Sequence, residues 1–167
     1  MIRELIKYGI MFIVLVLSQV LILNQLQLGG YINPYIYILF VMLLPLSTPR
    51  YILLLTGFLA GLTVDVFSDS LGVHAAATVF IAYIRPVVIR VISVREEDRN
   101  DYPGLKQNKF SWFLYYTLVM VLSHHLILFY LEYFTFSHFF STLLRVLLSA
   151  VFSIFVIVLS QFLIFRQ

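Results

Sequence analysis

The chain has 167 residues, of which 62% are hydrophobic and only 11% are charged, with a formal net charge of +3. A soluble domain is roughly a quarter charged, so these few charges are insufficient for a water-facing shell. The sequence therefore predicts an integral membrane protein, a single transmembrane domain over residues 1–167 with no separate soluble domain. Because it contains no cysteine, disulfides, thiol catalysis and thiolate metal sites are excluded.

Apolar runs that suit membrane helices recur along the chain, separated by turn-forming residues. A full crossing takes about 20 apolar residues. We predict an all-α, polytopic bundle of six transmembrane helices, roughly over residues 8–28, 34–46, 51–67, 73–92, 110–133 and 139–165. The second helix is short, with Asn33 as its cap and Pro34 at its first position. Pro86 either ends the fourth helix or kinks it, and the sequence leaves both open.

The junction of the third and fourth helices combines small residues with turn chemistry. Gly57 and Gly61 are four residues apart, a small-xxx-small face that lets a neighbouring backbone come close. In the turn that follows, Asp69 or Ser70 is placed to cap the fourth helix.

Lysine and arginine predict the orientation, because they favour the cytoplasmic side of a membrane protein. With six spans, the basic residues of the loops and termini fall on one side: Arg3, Lys7, Arg50, Arg85, Arg90, Arg95, Arg99, Lys106, Lys109 and Arg166. The opposite loops, GGYINP, SDSLGV and YFTFSH, contain neither residue type. Both termini are therefore expected in the cytoplasm, and the basic balance indicates membrane orientation rather than nucleic-acid binding.

Two charged side chains are expected deep in the membrane, where an ionised group is costly unless it is paired. The helical rise places Asp65 on the third helix and Arg145 on the sixth at similar depths. We expect them to form an intramembrane ion pair. Glu132 is a competing partner for Arg145, and extension of Arg145 to the lipid headgroups is a third option.

His124 and His125 reach the same depth on the fifth helix. A zinc site can be drawn from Asp65, His74 and one of these histidines, but the spacing fits no known ligand pattern, so no metal is expected. A proton relay is an alternative, and histidines hydrogen-bonded within a bundle are the favoured interpretation. The sequence contains no nucleophile–base pair, phosphate loop or paired acids, so we expect no catalytic residue, no cofactor and no enzyme activity.

Three further features carry predictions about surfaces. The polar residues in the outer half of the first helix are expected to face the bundle or a partner helix; they are Ser18, Gln19, Asn24, Gln25 and Gln27. The loop 95–109 is interpreted as a solvated linker, and the stretch 85–95 is placed to lie along anionic headgroups. Trp112 and Tyr102 suit an interfacial aromatic belt.

Two stretches, INPYIYILFVMLLP and GFLAGLTVDVFSDSLGVHAAATVFIAYIRP, resemble the rod shape-determining protein MreD family. The resemblance rests on Pro34 before the second helix, on the motif Gly61-Leu62-x-x-Asp65, and on a Ser…Leu-Gly turn leading into small residues. Residues 33–86 carry the motif, while the six-span layout extends the resemblance to nearly the whole chain.

This resemblance implies a non-enzymatic, multi-pass subunit of the bacterial cell-elongation machinery in the inner membrane. Such a subunit binds the bitopic protein MreC and helps couple MreB filaments to the peptidoglycan polymerase RodA and its partner transpeptidase. The structural or partner-binding motif would comprise Pro34, Gly57, Gly61, Asp65, Ser68, Gly72 and His74. The loop 95–109 is not part of this motif.

The resemblance also implies a fold similar to the substrate-binding membrane subunits of energy-coupling-factor vitamin transporters. The competing function is therefore a small-solute-binding subunit of such a transporter. Tyr31, Tyr35, His74 and His138 are the residues expected to line its outward-facing pocket. Homodimerisation is a further option.

Overall fold

The computed structural model describes residues 2–26, 32–93, 101–133 and 139–163. These residues form six α-helices, which confirms the all-α bundle: α1 Ile2–Leu21, α2 Leu39–Leu43, α3 Arg50–Ser68, α4 Val73–Ile92, α5 Phe110–Tyr133 and α6 Phe139–Leu163. All but α2 are long and apolar enough to cross a membrane. The fourth helix continues through Pro86, so the proline does not end it.

The start of α1 and the end of α6 lie at the same end of the bundle. The Lys7 ammonium is 5.1 Å from the centre of the Tyr102 ring. Gln161 Oε1, near the end of α6, accepts a hydrogen bond from the Leu105 N–H at 3.2 Å. We call this the loop end. The opposite end, where residues 69–72 join α3 to α4, is the turn end.

The second segment of the bundle, residues 33–46, is helical over only part of its length. The prediction of a helix over 34–46 is correct for Leu39–Leu43 and wrong for the residues before it and for residues 44–46, so Asn33 is not a helix cap and Pro34 does not begin a helix. Residues 35–44 are all buried, between α1, α4, α5 and α6. Irregular backbone at membrane depth persists only where protein or water satisfies its polar groups.

Gln19 on α1 holds the irregular part of this segment. Its buried side-chain amide donates to the Pro34 carbonyl at 3.1 Å and accepts from the Ile36 N–H at 2.8 Å. It also donates to Asn24 at 2.8 Å. Of the polar set predicted on the first helix, Gln19 and Asn24 therefore face the bundle, while Gln25 is exposed and Gln27 lies outside the described residues.

Two serines on α6 bind the same irregular backbone from the opposite side. Ser149 Oγ accepts from the Asn33 N–H at 3.0 Å, and Ser153 Oγ accepts from the Tyr35 N–H at 2.9 Å. The serines are one helical turn apart, which suits backbone N–H groups two residues apart in a stretched chain. The side chains of α1 and α6 thus replace the hydrogen bonds that a helix would supply.

Arg85 and Tyr116 bind the backbone carbonyls at the end of α2. The Tyr116 hydroxyl donates to the Met42 carbonyl at 3.0 Å, and Arg85 Nη2 donates to the Leu44 carbonyl. The carbonyls at a helix end have no partner within the helix. The negative end of the helix dipole also stabilises a guanidinium that lies beside these carbonyls.

The described part of the 95–109 loop packs against the bundle in part, so it is not simply a solvated linker, although Asp101, Lys106 and Lys109 are exposed. The Asp101 carbonyl accepts from the Leu46 N–H at 3.0 Å, and Pro103 and Gly104 are buried. Burial raises the pKa of the Tyr102 phenol to about 12. Residues 94–100 lie outside the described part of the chain.

Trp112 turns inward rather than toward an interfacial belt. Its indole N–H donates to Ser93 Oγ at 3.0 Å, and its ring centre lies 5.3 Å from that of Tyr116. The side chain is only 9% exposed. A buried indole finds a partner for its N–H, and this one ties the end of α4 to the start of α5.

Candidate functional site

The motif residues of α3 and α4 meet at a very close helix–helix contact. A Cβ on Gly61 would lie 2.4 Å from the Ala75 Cα and 2.5 Å from the His74 carbonyl oxygen. A Cβ on Gly57 would lie 3.1 Å from the Ala82 Cβ. The predicted small-xxx-small face is therefore confirmed, and Gly61 is where it is tightest.

Asp65, in the last turn of α3, caps the next helix. Its carboxylate accepts from the backbone N–H groups of His74 at 3.1 Å and Ala75 at 2.8 Å. The residue before α4 is Gly72, in the left-handed region at φ 83°, and it forms no side-chain cap. These N–H groups are the two that an N-cap side chain normally satisfies. The prediction that Asp69 or Ser70 caps α4 is therefore wrong, because the previous helix supplies the carboxylate.

The rest of the Asp65 carboxylate is also occupied. Ser70 Oγ donates to Oδ1 at 2.6 Å, and His74 Nδ1 lies 3.0 Å from the same oxygen. The Asp65 backbone carbonyl accepts from the N–H of Asp69, which adopts a left-handed conformation at φ 52°. One residue thus ends α3 with its backbone and begins α4 with its side chain. A negative charge at this position is favoured by the positive end of the α4 dipole.

The predicted Asp65–Arg145 ion pair is wrong. Arg145 Nη2 lies 3.8 Å from Glu132 Oε1, the partner that the sequence left as a competitor. Asp65 instead turns to the start of α4, where its carboxylate contacts the backbone N–H groups of His74 and Ala75, the His74 ring and the Ser70 hydroxyl. Similar depth did not decide the partner, since the two residues contact different helices. The Arg145 guanidinium also lies 4.8 Å from the ring centre of Phe129.

Polar and aromatic side chains form a buried cluster below the turn end. His124 Nε2 lies 2.7 Å from the Tyr37 hydroxyl, and His125 Nε2 lies 3.1 Å from Ser153 Oγ. Both histidines are fully buried, and the Tyr35 ring packs edge-on to both. These contacts match the hydrogen-bonded histidines favoured from the sequence. Among the described residues, no three metal-ligating side chains come together.

A pocket of about 590 Å³ opens at the turn end. Tyr35 and His74, two of the four residues predicted to line an outer pocket, lie in its wall together with Arg145 and Glu132. The other two, Tyr31 and His138, lie outside the described residues. The wall is mostly polar and contains both signs of charge, which suits a zwitterionic or polar occupant better than an apolar one.

The structure places the predicted motif residues together at or near the turn end. The α3–α4 contact and the cap involve Gly61, Asp65, Gly72 and His74, while Ser68 Oγ accepts from Asn24, in the 3-10 turn just after α1, at 2.9 Å. Pro34 lines the pocket beside them, and Gly57 lies one turn deeper on α3. The motif is thus the device that fixes α1, α3 and α4 relative to one another.

Sequence reasoning missed some residues that hold the site. Ser70 binds the Asp65 carboxylate, and Ser149 and Ser153 bind the second segment. A usable signal was present for the last two, because serines one turn apart in an otherwise apolar helix mark an inward face. For Ser70, the sequence pattern indicates only a helix cap.

Comparisons of the chain with protein-family models, with characterised proteins and with solved structures each give no match.

Proposed function

We propose that the chain is a non-enzymatic scaffold subunit of the bacterial cell-elongation machinery in the inner membrane. In this role it binds MreC and helps couple MreB filaments to RodA and its partner transpeptidase. The observation that carries the proposal is the ordered set of residues between 33 and 86 that resembles the MreD family. The likeness to the energy-coupling-factor subunits remains a prediction from the same resemblance.

The way the fold uses these residues supports a role in contact rather than in chemistry. The Asp65 carboxylate is fully occupied by Ser70, His74 and two backbone N–H groups. His124 and His125 are buried and hydrogen-bonded inside the bundle. Groups held in this way fix the packing of the helices and, through it, the shape of the surface at the turn end.

An apolar rim surrounds the turn that the motif fixes. Leu71, at the tip of the turn, is completely exposed, and Phe67 is 61% exposed. On soluble proteins, exposed apolar patches rimmed by polar residues mark contact sites, and the same reasoning applies to a turn that extends beyond the lipid. We propose that this rim meets MreC, because MreC continues beyond the membrane from its single span.

The test is co-purification combined with cell shape. The protein is depleted in its host, and wild type or a Phe67→Ser/Leu71→Ser variant is supplied with an affinity tag. We expect wild type to retain MreC in detergent and restore rods, and the variant to retain at least about tenfold less MreC and leave cells rounded. Val91→Ser, at an apolar residue near the loop end that is 68% exposed, is the control.

Two results would contradict the proposal. One is that depletion leaves cell shape unchanged. The other is that MreC is absent from the wild-type preparation under conditions that keep the protein folded. Equal recovery of MreC by the variant would instead indicate that MreC contacts a surface other than the rim.

A second candidate is a small-solute-binding subunit of an energy-coupling-factor transporter, favoured by the pocket at the turn end. Its volume of about 590 Å³ is within the usual range for ligand pockets of roughly 300–1,000 Å³. Mass spectrometry of the purified protein after denaturation distinguishes the two. A stoichiometric small molecule that is lost in Arg145→Gln, with normal cell shape on depletion, would favour the transporter subunit.

A further inference from the structure

A second pocket, of about 610 Å³, opens at the loop end between the start of α3 and the last turns of α4. Among the described residues, three arginines line it, Arg50, Arg85 and Arg90, together with one acidic residue, Asp101. The described part of the lining therefore has an excess of two positive charges. A concave site with this charge attracts anions.

Arg85 is the buried part of this site. It is only 2% exposed, and its hydrogen bonds go to neutral groups, the Tyr116 hydroxyl and the carbonyls of Met42 and Leu44. These bonds use Nε and Nη2, while Nη1 bonds to no described residue. Within the described part of the chain, the guanidinium has no carboxylate partner. A buried charge is costly unless a counter-ion pairs with it, and an anion bound in the pocket would supply one.

Two exposed arginines complete the lining. The Arg50 guanidinium lies 5.7 Å from the centre of the Tyr83 ring, so it leans from the start of α3 toward α4. Arg90 comes from the last turn of α4. Guanidinium groups from two helices can together surround the oxygens of one phosphate.

The N-terminus of α3 adds backbone donors to the same wall. Its N-cap residue is Pro49, and no side-chain cap is formed there by the described residues. The first N–H groups of a helix have no partner within the helix, and they favour anions. Thr48, just before the helix, also lines the pocket.

The surroundings of the pocket suit a lipid better than a soluble anion. Leu53, Pro86 and Ile89 form its apolar wall. Tyr51 and Val87, on the outer faces of the two helices beside it, are 71% and 52% exposed. An acyl chain can lie along such a surface while the headgroup occupies the basic part.

We infer that the loop-end pocket binds the phosphate group of an anionic membrane lipid. Arg85 and the α3 N-terminus hold the phosphate, while Arg50 and Arg90 close over it. The lipid thereby joins α3 to α4 at the end opposite the Asp65 cap. Basic recesses between membrane helices are a general solution for anionic headgroups.

The test is thermal unfolding of the full chain in a neutral detergent with added lipid. We expect phosphatidylglycerol to raise the midpoint in a saturable way and zwitterionic phosphatidylcholine to have little effect. Arg50→Gln/Arg90→Gln should weaken the apparent affinity, by roughly fivefold for each arginine if each contributes about as much as a basic residue near an anionic surface. Both side chains are exposed, so the variant should fold, and its midpoint without lipid checks this.

Lys106→Gln/Lys109→Gln removes the same charge from exposed residues at the same end that do not line the pocket. This control should keep the wild-type affinity for phosphatidylglycerol. Equal affinity in the arginine variant, or equal loss in the lysine control, would overturn the site. If inorganic phosphate or glycerol phosphate protects as well as phosphatidylglycerol at equal concentration, the phosphate comes from solution and the lipid assignment is overturned.

Discussion

Gly61 lies so close to Ala75 that a single added methyl group would overlap the backbone of α4. The distance from the added Cβ to the Ala75 Cα would be 2.4 Å. Backbone atoms cannot turn aside as a flexible side chain can. The contact therefore requires glycine and fixes how closely α3 and α4 approach.

Gly61→Ala should destabilise the protein even though alanine favours a helix. The helical gain is about 1 kcal/mol, whereas overpacking typically costs about 1–3 kcal/mol and costs more against backbone. We expect the thermal midpoint in detergent to fall by several degrees. Fluorescence-detected gel filtration after heating measures it.

Two other glycines provide graded controls. Gly57→Ala should lower the midpoint less, because its Cβ would meet the Ala82 methyl at 3.1 Å. Gly9→Ala should not lower it, since a Cβ there meets nothing within 4 Å. If all three variants behave alike, the close approach of α3 to α4 is not what stabilises the bundle.

Asp65→Asn should destabilise the protein by removing the cap of α4. Asparagine keeps one acceptor oxygen, so one of the His74 and Ala75 N–H groups loses its partner. A buried donor left without a partner costs about 1–3 kcal/mol, and loss of the negative charge at a helix N-terminus adds roughly 0.3–1 kcal/mol. Thermal unfolding measures the loss.

Asp69→Asn is the matched control for this change. Asp69 is exposed and adopts the left-handed conformation at φ 52°, which asparagine also tolerates. Its midpoint should match wild type. A similar loss in both variants would indicate that charge at the turn matters and that the cap does not.

The sequence predicted contacts that depend on local pattern. Gly57 and Gly61 form a close helix contact because small residues one turn apart make the same flat face in any bundle. The long helices followed from their apolar length alone. In both cases the deciding property lies within one helix.

The partners of buried polar groups depend on which helices are neighbours, so the sequence did not predict them. Asp65 and Arg145 have similar depth, but α4 begins beside Asp65 and supplies its backbone N–H groups. The irregular start of the second segment is similar in origin. Pro34 is compatible with a helix start. The irregular backbone is stable inside the bundle because Gln19 and two serines, from other helices, satisfy its hydrogen bonds.

Gln19→Leu should destabilise the second segment specifically. The change leaves the Pro34 carbonyl and the Ile36 N–H without partners, at about 1–3 kcal/mol for each buried group. We expect a lower thermal midpoint and faster amide exchange in peptides that contain residues 35–38. Gln25→Leu, at an exposed residue in the 3-10 turn that follows α1, should leave both measurements unchanged. Unaltered exchange in the Gln19 variant would contradict the role of the Gln19 side chain in holding this backbone.

Single cysteines at the two ends of the bundle should label from opposite sides of the membrane. The chain contains no cysteine, so Asp69→Cys and Lys106→Cys each carry one reactive thiol at an exposed residue. The positive-inside rule predicts that a membrane-impermeant maleimide added to intact cells labels the Asp69 variant alone. Arg3→Cys, in the first turn of α1, should behave like Lys106→Cys, because both lie at the loop end. Labelling of the Lys106 variant in intact cells would show that the orientation is the opposite one. The arginine-lined pocket would then lie in the outer leaflet.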